Sequence, residues 1–500
     1  MTEIDIDLMD EPLHDACGIV GIYDPSRQID VRQYLVLALT ALQHRGQESS
    51  GIAVSDPNGE IAVVTGMGKA RDVFAGGVEG LPSTSCGIAH ARYSTTGSSC
   101  VENAGPFVVG PYGRLFGTLA MAHNGNVVNS EDLRKHLPLH GVDLKSSTDS
   151  EVIAALLLVA EGNSLRKRLR SVVPRLQGAY SLVILSEGRL YGLRDPFGLR
   201  PLVLGKLGEG FMLASETCAL DRVGATYLRD LEPGELVTID QQGIHSEHIM
   251  KASRRALCVF EYIYFSDATS SLEGRGVYAT REALGRELAR EQPVPVDMVA
   301  PVPDTSIPIA LAYAEEAGIP YGEAMIRSRY ADRSFIKPDQ RLRKMEIDFK
   351  YNIISSKVEG KRLVLVDDSI VRGNTLKILT AALRRKGAAE VHIRIGSPPM
   401  RHPCYFGIDI PSEDDLLAST RTIQEVCSYL GADSLGYLSL AGLGRALGAH
   451  GSAARAEEYL HRRCCYGCLE TQGYPFDPRR VHDSDRLPDH RAERNALALV

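Results

Sequence analysis

Residues 362–375 read RLVLVDDSIVRGNT, and this stretch restricts the fold of the chain more than any other. An apolar run from Leu363 to Val366 ends in two adjacent acids, Asp367 and Asp368. A Ser/Gly/Thr loop follows, then a helical pattern. In open parallel sheets, ligands bind at the carboxyl ends of strands. Loop N–H groups and the N-terminus of the following helix suit a phosphate. Two acids at a strand end suit ribose hydroxyls and Mg2+. A bare strand with two acids more often makes an acidic turn with a helix cap; the complete string, with its loop, outweighs that bland reading.

The surroundings agree. Between about 250 and 450 the chain alternates strand, loop and helix. DMVAPVP precedes IPIALAYAEEAG, RLVLVDDSIVRGN precedes TLKILTAALRRKG, and AEVHIRI comes next. This rhythm predicts a parallel α/β sheet. Residues 17 to about 245 instead carry short β-like runs (CGIVGIYD, SGIAVSD, LVILSEGRLYGLRD, GELVTID). Only two helical patterns are clear, VRQYLVLALTALQHR and SEVIAALLLVAEG. That mix predicts stacked sheets with helices outside. Residues 451–500 read as a polar, Arg-rich tail with a cysteine cluster. The expected divisions are 1–16, 17–245, 246–450 and 451–500.

Composition removes several classes of function. The net charge of −7 over 500 residues disfavours a nucleic-acid binder. No apolar run of membrane-spanning length occurs. The acidic opening, MTEIDIDLMDEPLHDAC, is not a secretory signal, so a cytoplasmic location with reduced thiols is expected. Ten cysteines then suggest catalysis or metal binding before disulfides, although small buried hydrophobes remain the default for most of them.

Five short segments in the first half are weak singly: Cys17 in DACGIVGIYD, QHRGQESSGIA (43–53), HARYSTTG (90–97), AHNGN (122–126) and STDSEV (147–152). A Cys before Gly is usually a buried small residue, and HNGN is usually a turn. In this order and spacing they resemble the class II glutamine amidotransferases, the N-terminal-nucleophile (Ntn) hydrolases. The resemblance implies an αββα glutaminase sandwich over 17–245 and removal of a propeptide, residues 1–16, leaving Cys17 with a free α-amine. It further implies that Asn124 and Gly125 form the oxyanion hole, that Arg92 pairs with the substrate α-carboxylate, that Asp149 holds its α-ammonium, and that Arg45 helps bind substrate. The chemistry fits: a thiolate is a strong nucleophile, and an α-amine with a reference pKa of about 8 can exchange its proton. One departure is Gly105 in ENAGPF, where members often carry Gln.

The 362–375 string resembles the phosphoribosyl-pyrophosphate (PRPP) signature of type I phosphoribosyltransferases. It implies PRPP contacts from Ser369, Arg372, Gly373, Asn374 and Thr375. PVPDTSIPIA (301–310) resembles the pyrophosphate-side loop, which adds Thr305 to Asp367 and Asp368 around Mg2+. RSRYADRSFIKPDQRLR (327–343) resembles a mobile loop closing over PRPP. Its Arg327–Ser328 stand where Lys–Asn is usual, and Lys337 where Gln is usual. In FKYNII, Lys350 and Asn352 are kept and Ile353 replaces a common Pro.

Cys465-Tyr466-Gly467-Cys468 is a CxxC pair that alone could be a zinc half-site, a redox pair or nothing. With Cys258 in CVFEYIYF and Cys404 in SPPMRHPCYFG it resembles the iron–sulfur branch of the PRPP amidotransferases. There, four such cysteines hold a [4Fe–4S] cluster; zinc is the runner-up. Cys464 makes the run CCYGC, so either Cys464 or Cys465 could be the ligand, and the CxxC spacing favours Cys465. Cys86, Cys100, Cys218 and Cys427 read as packing residues, and His90, His123 and His402 as structural hydrogen-bonders.

Taken together, residues 12 to 480 resemble that amidotransferase family. The resemblance implies an enzyme that uses glutamine and PRPP to make 5-phosphoribosylamine, glutamate and pyrophosphate, the first committed step of purine synthesis. It also implies purine nucleotides as feedback inhibitors, a homo-oligomer (dimer or tetramer) and ammonia transfer out of bulk water. Two other readings are a paralogue using the same half-reactions in specialised nucleoside metabolism and a PRPP-sensing regulatory protein.

Overall fold

A computed structural model describes residues 17–56, 59–93, 98–110, 117–137, 142–328, 351–408, 410 and 412–478. The expected propeptide, residues 1–16, and most of the 327–343 loop, with Lys337 and Lys350, therefore lie outside the described residues.

Residues 18–248 build two antiparallel sheets of seven and six strands. The strand Gly18–Tyr23 runs antiparallel between Gly210–Ala214 and Cys86–Arg92 in the first sheet. Leu119–Val127 runs antiparallel between Phe107–Val109 and Gly178–Ser186 in the second. Successive side chains point to opposite faces of a strand, and here both faces are buried. Ile19 and Tyr23 join Ala120, Ala122, Val183 and Leu185 between the sheets. Val20 and Ile22 pack outward with Val31, Leu35 and Leu39 of the helix Val31–Ala41. On the far side, the helices Asp149–Val159 and Leu165–Val172 cover the second sheet. The layers are α, β, β, α, as the motif order implied. Burial on both faces explains why these strands read as continuous apolar runs and not as alternating ones.

The second half is built on four parallel strands in spatial order Met298–Pro301, Arg362–Asp367, Glu390–Ile395, Ser434–Tyr437. Val364 and Val366 face the helices Val277–Glu291 and Ile307–Ala317. Leu363 and Leu365 face Asn374–Arg385 and Ile423–Leu430. Gly318 ends the Ile307–Ala317 helix in the left-handed region at φ 65°, a C-terminal stop that glycine accepts without a Cβ penalty.

The end of the chain corrects the tail reading. Ala453–Arg463 is a helix whose Ala456 and Leu460 are fully buried, four residues apart on one face. Beyond it, Cys464–Cys465 pairs in parallel with Leu257–Cys258, setting Cys258 beside Cys465 and Leu257 beside Cys464. Its polarity belongs to the solvent face alone.

The helices Val277–Glu291 and Ile307–Ala317 cross at Gly285, where a Cβ would sit 2.1 Å from the Ile309 carbonyl oxygen and 3.0 Å from the Tyr313 nitrogen. Gly285→Ala should therefore lower stability by about 1–3 kcal/mol, read as a shift of the urea midpoint by circular dichroism. Gly276→Ala, whose Cβ meets only the Ala279 Cβ at 4.0 Å, should move it by less than about 0.5 kcal/mol.

Candidate functional site

Cys17 opens the strand Gly18–Tyr23 and is 7% exposed. Its Sγ donates to the Tyr93 carbonyl at 3.4 Å, and its own carbonyl accepts from Arg45 Nε at 3.3 Å. Burial pushes the thiol above its ordinary range; Arg92 acts the other way, and Asp149 and Glu48 add to the rise. These charges are therefore its immediate electrostatic neighbours. Asn124 and Gly125 lie on Leu119–Val127, which packs against the strand that Cys17 opens. The Asn124 amide is fully buried, and neither its oxygen nor its nitrogen has a hydrogen-bond partner. A buried polar group in that state costs about 1–3 kcal/mol, so it calls for an explanation. Gly125 is held at φ 145°, with the Ala179 carbonyl 2.1 Å from where a Cβ would be. No other residue could bring backbone N–H and strand so close.

Asp149 begins the helix Asp149–Val159, capped by the Thr148 side chain. Its Oδ2 accepts from the Val127 N–H at 2.9 Å, and its Oδ1 stands 3.7 Å from His123 Nδ1. Burial opposes its charge, but His123 and that N–H hold the carboxyl below the usual carboxylate range. Arg92, almost fully buried, approaches Glu48 at 3.5 Å. Gly105 lies against His90: a Cβ there would be 2.3 Å from His90 Nδ1, so this packing leaves no room for a longer side chain. Burial pushes His90 down to about 3, which keeps the ring neutral.

Arg45, expected to help bind substrate, lies on protein partners in this structure. Its side chain is fully buried, with Nη1 bonded to Glu216 Oε1 at 2.6 Å and Glu261 Oε2 at 2.9 Å, and Nη2 to Glu261 Oε1 at 2.9 Å. With Nε on the Cys17 carbonyl, four of its five N–H donors bond protein groups. Arg200 completes the set, bonding Glu261 Oε1 at 3.0 Å and the Phe406 carbonyl at 2.9 Å.

In the second half a cavity of about 460 Å³ opens at the carboxyl end of the parallel sheet. Thr305, Asp367, Asp368, Ser369, Gly373 and Thr375 all line it; Arg372 and Asn374 do not. The Asn374 Oδ1 accepts instead from the Tyr429 hydroxyl at 2.8 Å. Asp368 accepts from the hydroxyls of Thr305 and Ser369, and its N–H donates to Asp367 Oδ1 at 2.9 Å. Burial raises the Asp368 carboxyl above its ordinary value, against the pull of those hydroxyls and Arg281. Among the lining residues that went unassigned in the sequence are Arg281, His44 and Gln47. The last two belong to the QHRGQ segment, whose reading was confined to the first site.

Cys258, Cys404, Cys465 and Cys468 line one further cavity, closed by Leu199, Arg200, Phe406, Ile408 and Tyr474. Burial raises all four thiols, Cys258 to about 12. Cys404 Sγ accepts from the Phe406 N–H at 3.4 Å. Cys464 faces away, lining a different cavity with Tyr262, Arg275 and Tyr459. The parallel pairing of Cys258 with Cys465 explains this division, because neighbouring residues in a strand point to opposite sides. Among the described residues no three His, Cys, Asp or Glu side chains stand at metal-ligand spacing.

Comparison with known proteins matches residues 110–222 to a glutamine amidotransferase domain family and residues 281–395 to a phosphoribosyl transferase domain family. The chain is 44% identical over 465 residues to the amidophosphoribosyltransferase of Methanothermobacter thermautotrophicus, covering 93% of this chain and 95% of that one. It is 41% identical over 467 residues to the Bacillus subtilis amidophosphoribosyltransferase, covering 93% and 95%. The solved glutamine PRPP amidotransferase of B. subtilis, complexed with ADP and GMP, superposes with a TM-score of 0.83 at 39% identity, covering 91% of this chain and 96% of that one.

Removing one member of a buried ion set strands the others. Arg45→Met should cost about 3–5 kcal/mol, measured as a loss of urea stability; an unchanged midpoint would mean that the set contributes nothing net.

Proposed function

The chain belongs to the amidophosphoribosyltransferases, enzymes of the first step of purine biosynthesis, and on that premise we propose how its residues divide the reaction. The observation that carries this division is the acid pair at a cavity which residues of both halves line: Asp367 and Asp368 from the parallel sheet, His44 and Gln47 from the sandwich.

The glutamine half-reaction belongs to Cys17, exposed as an N-terminus by loss of residues 1–16. Its buried thiol is held protonated, so a base must accept the proton, and the new α-amine is the nearest group with a suitable pKa. The unpartnered Asn124 amide and the Gly125 N–H receive the oxyanion; a donor so placed is typically worth about 3 kcal/mol. Folding then bears the desolvation of Asn124, and the transition state regains it. Arg92 takes the substrate α-carboxylate through its planar fork. The ionised Asp149, with Oδ2 already fixed by Val127, takes the α-ammonium.

The ammonia released attacks C1 of the ribose, pyrophosphate leaves, and the anomeric centre inverts. The loop N–H groups at Ser369, Gly373 and Thr375 hold the 5-phosphate. Asp367, Asp368 and Thr305 fit Mg2+, which uses one or two carboxylates together with substrate phosphates; when bound it would neutralise charge on the leaving pyrophosphate. Four cysteines lining one cavity, with a backbone N–H on Cys404, supply the donor set that would hold a thiolate-bound [4Fe–4S] cluster. Neither half-reaction moves electrons, so the cluster's part is to anchor the last residues to the domain. Purine nucleotides serve as feedback inhibitors of a cytoplasmic homo-oligomer. Among the described residues, no helix is long and apolar enough to cross a membrane.

Cys17→Ala should abolish glutamine-dependent synthesis and leave ammonia-dependent synthesis from PRPP within about threefold, since a loss of nucleophile removes only its own half-reaction. Intact mass of the active parent should begin at Cys17. Equal loss of both activities in a folded variant, or an active form beginning at Met1, would remove this mechanism.

Anaerobically purified protein should be brown, with about four irons and four sulfides per chain. Cys465→Ser should lose iron and soluble yield together, and Cys464→Ser should keep both. A colourless protein with one zinc would replace the cluster and leave both catalytic assignments standing.

A further inference from the structure

His44 follows the helix Val31–Ala41, immediately before Arg45, and its side chain, 28% exposed, reaches the PRPP cavity. Nδ1 lies 3.1 Å from the Ala41 carbonyl and Nε2 lies 2.8 Å from Glu216 Oε1. Both partners are acceptors. A backbone carbonyl has nothing to donate, and Glu216 Oε1 already accepts from Arg45 Nη1 at 2.6 Å, the bond of an ionised carboxylate. Each ring nitrogen must then carry a proton, so the geometry requires an imidazolium. Its place after the last turn of a helix favours the same charge.

The bonds continue inward. Glu216 Oε2 accepts from the Asp267 N–H at 2.9 Å and the Ser270 hydroxyl at 2.7 Å, and Asp267 lines the same cavity. From Glu216 the next step is Arg45, and from Arg45 Nε the next is the Cys17 carbonyl. Glu216 and Arg45 are fully buried. Three bonds, the inner two out of reach of water, thus join the wall of one cavity to the backbone of Cys17. The charged groups facing His44 are Glu216, Arg45 and Asp267, of which only Arg45 opposes its charge. Burial also works against that charge, and Glu216 outweighs it, raising His44 above its ordinary value.

We propose that His44 is a positioning residue that passes occupancy of the PRPP cavity, through Glu216 and Arg45, to the backbone of Cys17. The proposal rests on the function assigned above. A polyanionic ligand in the cavity attracts the imidazolium and loosens its hold on Glu216. Glu216 then leans on Arg45, the one other cation it touches, and Arg45 resets the Cys17 carbonyl. Such redistribution is strong where the surroundings are poorly polarisable. Contiguity alone does not prove coupling, so the test must read coupling directly.

The readout is the ratio of glutamate release with saturating PRPP to that without it, using full-length processed enzyme. His44→Gln keeps an N–H toward Glu216 and removes the charge; its ratio should fall at least about fivefold, the lower range of ordinary coupling between sites. His44→Lys restores a cation and should recover at least half of the parental ratio. Leu37→Ala, exposed on the helix that precedes His44 and outside the chain of bonds, should leave the ratio within about twofold, where uncoupled sites are expected to fall. An unchanged ratio in a folded His44→Gln protein overturns the proposal, as does an equal fall in the Gln and Lys variants. If His44→Gln does not fold, the Lys variant decides: a ratio below half the parental value overturns the proposal. A parent that releases glutamate without any PRPP dependence overturns this inference alone. A parent with neither activity overturns the functional reading beneath it.

Discussion

Two arginines and two glutamates sit at the centre of this molecule with no access to solvent. Arg45 bonds Glu216 and Glu261, and Arg200 bonds Glu261. Their charges cancel, and their hydrogen bonds reach three regions: the Cys17 carbonyl, the Phe406 carbonyl beside the cysteine cavity, and, through His44, the edge of the cavity at the carboxyl end of the parallel sheet. Taking such charges out of water is costly, and well-packed apolar side chains would often serve stability as well or better. What an apolar patch cannot do is fix a register. A guanidinium shared between two carboxylates accepts few relative placements of the elements that carry them. Because Arg45 comes from the sandwich and Glu261 from the start of the second half, that constraint sets one against the other.

The same logic explains what could be read from the sequence. Elements whose cause is local were legible. The strand, loop and helix around Asp367 and Asp368 appear where the string places them, and Gly318 ends its helix as a C-terminal glycine does. The order of layers in the first half was legible too, because runs such as Gly18–Tyr23 are too apolar for a strand with a wet face. The ion set around Arg45 was not legible because its partners stand 171 and 216 residues away, and no local pattern reports them. His44 and Gln47 were missed for a related reason: a motif read for one cavity supplied the wall of another. The final helix was taken as polar tail because Ala456 and Leu460, the residues that bury it, are few among charged neighbours. That Cys464 and Cys465 line different cavities depends on a strand partner from far upstream.

The segment carrying Cys404 also supports the first site. The Asn126 amide donates to the Tyr405 carbonyl at 2.8 Å, and a Cβ on Gly407 would meet Arg200 Nη2 at 2.9 Å and the Gly125 carbonyl carbon at 3.4 Å. The loop from the second half thus lies directly on the strand of Asn124 and Gly125. Placing Cys404 and supporting the strand Leu119–Val127 are served by one stretch of backbone.

The two-residue pairing of Leu257–Cys258 with Cys464–Cys465 closes a loop of roughly two hundred residues, made of almost the entire parallel-sheet half. A contact so distant in sequence forms late, because the chain between its ends must already be arranged. On the ribosome, Cys465 emerges after every strand of both halves has been synthesised. The sandwich can therefore fold during synthesis, while the loop from 404 to 408 that rests on it receives its last support only near the end of translation. The order of synthesis itself makes the sandwich available before the loop that rests on it is pinned.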